Sequence, residues 1–98
     1  MEFTALPEVL GRKALLEALS VLDQEEPIRY GTIEDRVNSS TDTLARSLQI
    51  LSEYDLIIRS EINPRKVEYQ RTERGDRVFK EAKKLEGILL ENKTDRDK

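Results

Sequence analysis

Leucine spacing along the chain sets the first expectations. Over residues 8–22, Leu15, Leu16, Leu19 and Leu22 recur at three- and four-residue steps, with Val9 and Leu10 one to two turns earlier, which predicts an amphipathic helix with a broad apolar face. Thr4 is placed to cap it and Pro7 stands where a first turn tolerates proline. Gly11 is a soft spot, costing about 1 kcal/mol relative to Ala. The run Asp23-Gln24-Glu25-Glu26-Pro27 ends this helix, and Ile28-Arg29-Tyr30 follows as a short extended piece. Thr32 is predicted to cap a second short helix, Ile33 to Val37, with Asp35 closing a capping box. Asn38-Ser39-Ser40 then reads as a turn. Leu44, Leu48 and Leu51 stripe a third helix, about 41–54, capped by Ser40 or Thr41. Thr43, Arg46, Ser47 and Gln49, with Ile50, lie off that stripe, so its other face is small, polar and hydrogen-bonding.

Period-two alternation takes over next. Leu56-Ile57-Ile58 opens a strand that runs to about Ile62, and Pro64 is a good first corner for the turn Asn63 to Lys66. Val67 and Tyr69 then alternate with Glu68 and Gln70 in a returning strand to Arg71. Thr72 is placed to cap a long last helix, about 73–92. Along it Val78, Ala82, Leu85, Leu89 and Asn92 fall at four- and three-residue steps, a coiled-coil spacing, with Phe79 and Ile88 beside them. A helix of about 20 residues is roughly 30 Å long, more than a lid over one small domain needs. Leu85, Ile88, Leu89 and Asn92 are therefore expected to pair with a second copy, joined by Leu6, Val9 and Leu10. The charged tail, 93–98, is expected to be disordered.

Composition narrows the chemistry. Ninety-eight residues, 37% hydrophobic and 38% charged, allow one domain, 1–92, with a modest core that oligomerisation would help. Cys and His are absent, which removes disulfides, thiolate zinc sites, Cys nucleophiles and His-dependent triads. The four glycines are isolated from one another, so no phosphate-cradling loop is present. No catalytic residue, metal or cofactor is expected. No apolar run approaches a membrane span, and Met1-Glu2-Phe3 lacks a signal-peptide pattern, so a cytoplasmic protein without a membrane partner is expected.

Charge is uneven beneath the formal net of −3. Residues 1–58 hold five basic and eleven acidic side chains, whereas 59–80 hold seven basic and four acidic. A positive segment in an acidic chain points to an anionic partner at that segment.

The order helix, extended piece, short helix, turn, helix, hairpin, helix is that of a winged helix-turn-helix: mainly α with a small β-hairpin (α+β) and a long C-terminal helix. The stretch TDTLARSLQILSEYDLIIRS, followed by PRKVEYQRTERGDRVF, resembles the core of small bacterial and archaeal transcriptional regulators of the HxlR-like group, related to the MarR, PadR and ArsR groups. Val67-Glu68-Tyr69 and Thr72-Glu73-Arg74-Gly75 fit the V-x-Y-x-L-T-x-x-G junction of these families, with Arg71 standing where an apolar residue is usual. The resemblance covers about residues 12–90. HxlR-like proteins often sense through a Cys, a mode this chain lacks.

This layout implies sequence-specific binding of double-stranded DNA, with the helix at 41–54 in the major groove. Thr41, Thr43, Arg46 and Gln49 would face base edges, Arg46 being suited to a bidentate contact with guanine. Ser39, Ser40 and Thr41 would meet phosphate at the helix start. The wing, 58–71, would set Asn63, Arg65 and Lys66 on the backbone or in the minor groove, and Arg29 and Tyr30 would add backbone contacts. A two-fold homodimer places its reading helices about 34 Å apart, which implies a palindromic site. Asp42 and the acidic first half oppose DNA, although an acid at a helix start also favours the macrodipole. A winged helix serving as a protein–protein interaction module is the alternative. No residue identifies a small-molecule effector.

Overall fold

In the computed structural model of the chain, the backbone is described for residues 1–96 and the side chains for 1–91. The side chains of Asn92 and of the tail 93–98 therefore lie outside the described residues. The elements are α1 (Ala5–Leu10), α2 (Lys13–Val21), β1 (Ile28–Arg29), α3 (Tyr30–Arg36), α4 (Thr41–Glu53), β2 (Ile57–Asn63), β3 (Lys66–Arg71) and α5 (Glu73–Arg96).

The single helix expected over 8–22 is two helices. Gly11 closes α1, its N–H donating to Pro7 O at 2.9 Å, and a Cβ there would sit 2.4 Å from that oxygen. Arg12 is extended before α2 begins. Glycine thus allows the chain to close on itself and turn, so that α1 lies against α2.

Two further expectations change in α3. The helix begins at Tyr30, directly after the strand residue Arg29, and no side chain caps it. Thr32 is therefore already inside the first turn, and the Thr32–Asp35 capping box does not form. The extended piece before it is a true strand: β1 pairs with β3 in the register Ile28↔Tyr69 and Arg29↔Glu68. The hairpin is consequently part of a three-stranded antiparallel sheet ordered β1-β3-β2.

Helix α4 follows the expected bounds closely. Ser40 caps it, accepting from Thr43 N–H at 3.2 Å, and Asp55 ends it in the left-handed region at φ 58. Leu56 N–H donates to Leu51 O and Asp55 N–H to Ser52 O, the bond pair of a Schellman closure. Leu44, Leu48 and Leu51 are buried as the stripe requires, but so are Ser47 and Ile50. The apolar arc is wider than the leucines alone indicate, because α4 packs on α2 and also on β2.

The core gathers Leu15, Ala18 and Leu19 of α2, Ile33 of α3, the α4 residues, Leu56, Ile57 and Tyr69. Thr72 caps α5 as expected, its Oγ1 accepting from Gly75 N–H at 2.9 Å while donating to Asp55 O at 2.7 Å. That double duty pins the start of α5 to the end of α4. Arg71, which stands where the resemblance expects an apolar residue, is largely covered, its Nε buried without a partner among the described residues. Its guanidinium donates to Leu19 O at 3.1 Å, meets Asp76 at 3.3 Å and lies 4.3 Å above the Phe79 ring. No described helix is long and apolar enough to cross a membrane.

Candidate nucleic-acid interface

The packing of α4 decides what it offers outward. With Leu44, Ser47, Leu48, Ile50 and Leu51 turned inward, Thr41, Asp42, Thr43, Ala45, Arg46 and Gln49 are all exposed. These are short polar groups and one arginine on a helix whose two ends are fixed by a side-chain cap and a Schellman closure.

The front of α4 is tied to α3. Thr41 Oγ1 donates to Glu34 Oε2 at 3.2 Å, and Ser40 Oγ also lies 3.0 Å from Thr43 Oγ1. Of the three expected phosphate ligands at this end, Ser40 and Thr41 are exposed. Ser39 is half-buried, with its hydroxyl enclosed and without a protein partner among the described residues. Gln49 is exposed with its amide 3.4 Å from Glu53 Oε1.

The wing also faces α3. A groove of about 750 Å³ is bounded by Arg29, Tyr30 and Glu34 on one wall and by Arg59, Pro64 and Arg65 on the other. Asn63 Oδ1 accepts from Arg65 N–H at 2.8 Å, so Asn63 shapes the turn that holds Arg65 out. Both are exposed, and Lys66 is partly covered. Tyr30 is half-buried, its ring tilted against Tyr69 at 6.3 Å. Burial first, then Glu34, Tyr69 and Asp42, push its hydroxyl above the usual tyrosine range. It stays a neutral O–H donor at physiological pH.

Arg59 and Glu34 also border this surface. Alternation along β2 carries a signal for Arg59, since it stands opposite Tyr69. Glu34 enters only through the three-dimensional approach of α3 to α4.

The expected dimer residues divide. Leu6, Leu85, Ile88 and Leu89 are exposed, by 47%, 46%, 59% and 69%. Leu10 is partly covered, whereas Val9 is buried in the core of its own chain. A groove of about 1100 Å³ separates α1 from α5, with Leu6, Leu10 and Leu85 among its apolar walls and Arg77, Lys80 and Lys84 at its rim.

Two short helices closed by a turn, with the second open to solvent and a cation-tipped hairpin flanking the first, define a winged helix-turn-helix protein. The chain belongs to the HxlR-like helix-turn-helix family, whose profile matches residues 6–95. Among solved structures it is similar to a protein from Porphyromonas gingivalis W83 assigned to the MarR family of transcriptional regulators. There the TM-score is 0.73 at 23% identity, over 88% of this chain and 86% of that one. It is also similar to a protein from Thermoplasma volcanium GSS1 assigned to the HxlR family of transcriptional factors. There the TM-score is 0.70 at 22% identity, over 90% and 82% of the two chains. At these identities the likeness is one of fold. No curated protein matches the sequence.

Proposed function

We propose that the chain is a dimeric transcriptional regulator that binds a palindromic duplex, with α4 in the major groove and the β2–β3 wing on the sugar-phosphate backbone or in the minor groove. One observation carries this reading. Glu34 of α3 accepts from Thr41 at the exposed front of α4 and also lines the groove that Arg65 of the wing borders. A helix about 10–12 Å across fits a major groove about 12 Å wide. Arg46 is the base-reading cation, and Thr41, Thr43 and Gln49 are hydrogen-bonding neighbours. Ser40, Arg29 and the neutral Tyr30 hydroxyl serve phosphates, as do Arg65 and Lys66. The second copy packs through Leu6, Leu85, Ile88 and Leu89.

Titration of duplex binding against salt tests the wing. Replacing Arg65 and Lys66 by Ala should weaken binding on every sequence and make the log–log salt slope shallower by about 0.9 per lost phosphate contact. Unchanged affinity and slope would contradict the wing assignment. Leu89→Glu, at a position 69% exposed and so harmless to the fold, should leave only half-site binding. Full-site affinity unaffected by that change would contradict the dimer.

A further inference from the structure

The sheet order β1-β3-β2 leaves β2 with an open edge, and residues 58–63 of that strand are exposed throughout. The backbone groups facing outward can be identified. Thr72 N–H donates to Leu56 O, bracketing the pair Ile57↔Arg71 as one that exchanges no bonds itself. By alternation, Ile58↔Gln70 and Ser60↔Glu68 are the bonded pairs. The N–H and C=O of Arg59 and Glu61 then point away from β3, to the open side.

Around Ser60 the strand is self-complementary, reading Ile58-Arg59-Ser60-Glu61-Ile62. One step from Ser60 the charges are opposite, and two steps away both residues are isoleucine. We propose that β2 is a self-recognition edge, pairing antiparallel with β2 of a second copy about a two-fold axis at Ser60. Arg59 then lies opposite Glu61 of the other copy, and each such pair exchanges the backbone bonds left open at the edge. Ile58, 54% exposed in the single chain, stands on the Ser60 face of the joined sheet, while Ile62, 57% exposed, falls where the β2–β3 register shifts between Glu61 and Asn63.

The charge pattern also selects the register. An axis at Arg59 or at Glu61 sets like charges opposite each other, as does parallel in-register pairing. Charged edges usually prevent association; this arrangement permits one geometry and penalises its neighbours. Neither α1 nor α5 packs substantially on β2. The edge would therefore join dimers to one another, and it does not rest on the DNA-binding proposal.

Cross-linking through Ser60→Cys tests the pairing, because the chain has no other cysteine. A pair at the axis that exchanges no bonds has Cα atoms about 4.5 Å apart, within disulfide reach. The experiment is run in chains also carrying L89E, so that association through α5 does not supply proximity. S60C should form a disulfide dimer under mild oxidation. S60C with R59E, or with E61R, should lose it, since two symmetry-related pairs turn repulsive together and association should weaken about tenfold or more. Mixing those two chains, or combining both charge changes in one chain, should restore it. Absence of the S60C dimer, or cross-linking indifferent to these charges, would overturn the proposal.

Discussion

Gly75 is the residue on which the junction of wing and last helix most depends. It is buried in the first turn of α5, its N–H donating to Thr72 Oγ1. A Cβ at this position would lie 1.9 Å from Leu56 O, 2.9 Å from Leu56 C and 2.9 Å from Arg71 Cγ. The first two are backbone atoms held by the Schellman closure of α4 and by the bond from Thr72 N–H to Leu56 O at 3.0 Å. Neither can swing aside as a side-chain end could. Gly75→Ala must therefore push α5 away from the α4–β2 corner by more than 1 Å, as judged from about 3.5–4.0 Å for unstrained contact.

Overpacking of this kind costs about 1–3 kcal/mol, or more where backbone must move, against about 1 kcal/mol gained in helix propensity. With strain at the upper end, the net loss should be about 2 kcal/mol. For a domain of this size that is a fall in melting temperature of roughly 8–16 °C. Thermal unfolding followed by circular dichroism at fixed protein concentration reads it directly. Gly31→Ala is the control, because nothing lies within 4 Å of its Cβ position, and it should stabilise by up to about 1 kcal/mol. A Gly75→Ala chain that melts with or above the parent would refute the close approach that holds α5 to the wing.

Arg71→Ala should cost about 1–3 kcal/mol in denaturant unfolding, because Leu19 O loses a charged donor. Arg71→Leu should cost less, because it keeps apolar contact with Phe79. Tyr54 donates to Glu8 Oε2 at 2.8 Å, which raises its pKa above 10.0. Its contribution is present below pH 10 and disappears as pH rises through the folded value, so Tyr54→Phe should show a smaller alkaline loss of stability. The ammonium of Lys80, 3.0 Å from Asp76, draws the Asp76 pKa below 3.8. Stability from that contact holds above pH 3.8 and fades as pH falls through the lower folded value, so the gap between the parent and Asp76→Asn should close in acid. Arg46→Ala should reduce discrimination at one base pair by about 1–3 kcal/mol while leaving salt dependence nearly intact.

Periodicity made α4, the β2–β3 hairpin and the Thr72 cap legible, because each rests on contacts among neighbouring residues. What escaped was set by distant ones. Strand β1 has two residues and no pattern of its own; it exists because β3 offers partners forty residues on. Helix α3 starts at Tyr30 because that strand ends at Arg29, which overrides the local cap at Thr32. Gly11 is the local exception: Pro7 O, four residues back, lies too close for a Cβ there, and the helix breaks. Ser47 and Ile50 lie off the leucine stripe yet are buried, because α4 packs on both α2 and β2. Within the candidate interface, Arg46 and Arg65 are exposed, as their helical and turn positions predict. Glu34, which engages Thr41, lies on a separate helix and carries no sequence signal.

In the proposed function the polar side of α4 and the wing tip meet duplex DNA of defined sequence. Selection of bound duplexes from a random pool, run at two salt concentrations, tests it most directly. One inverted repeat with half-sites about one helical turn apart should be enriched at both concentrations and bound more weakly at the higher one. A pool that stays random at both would contradict it.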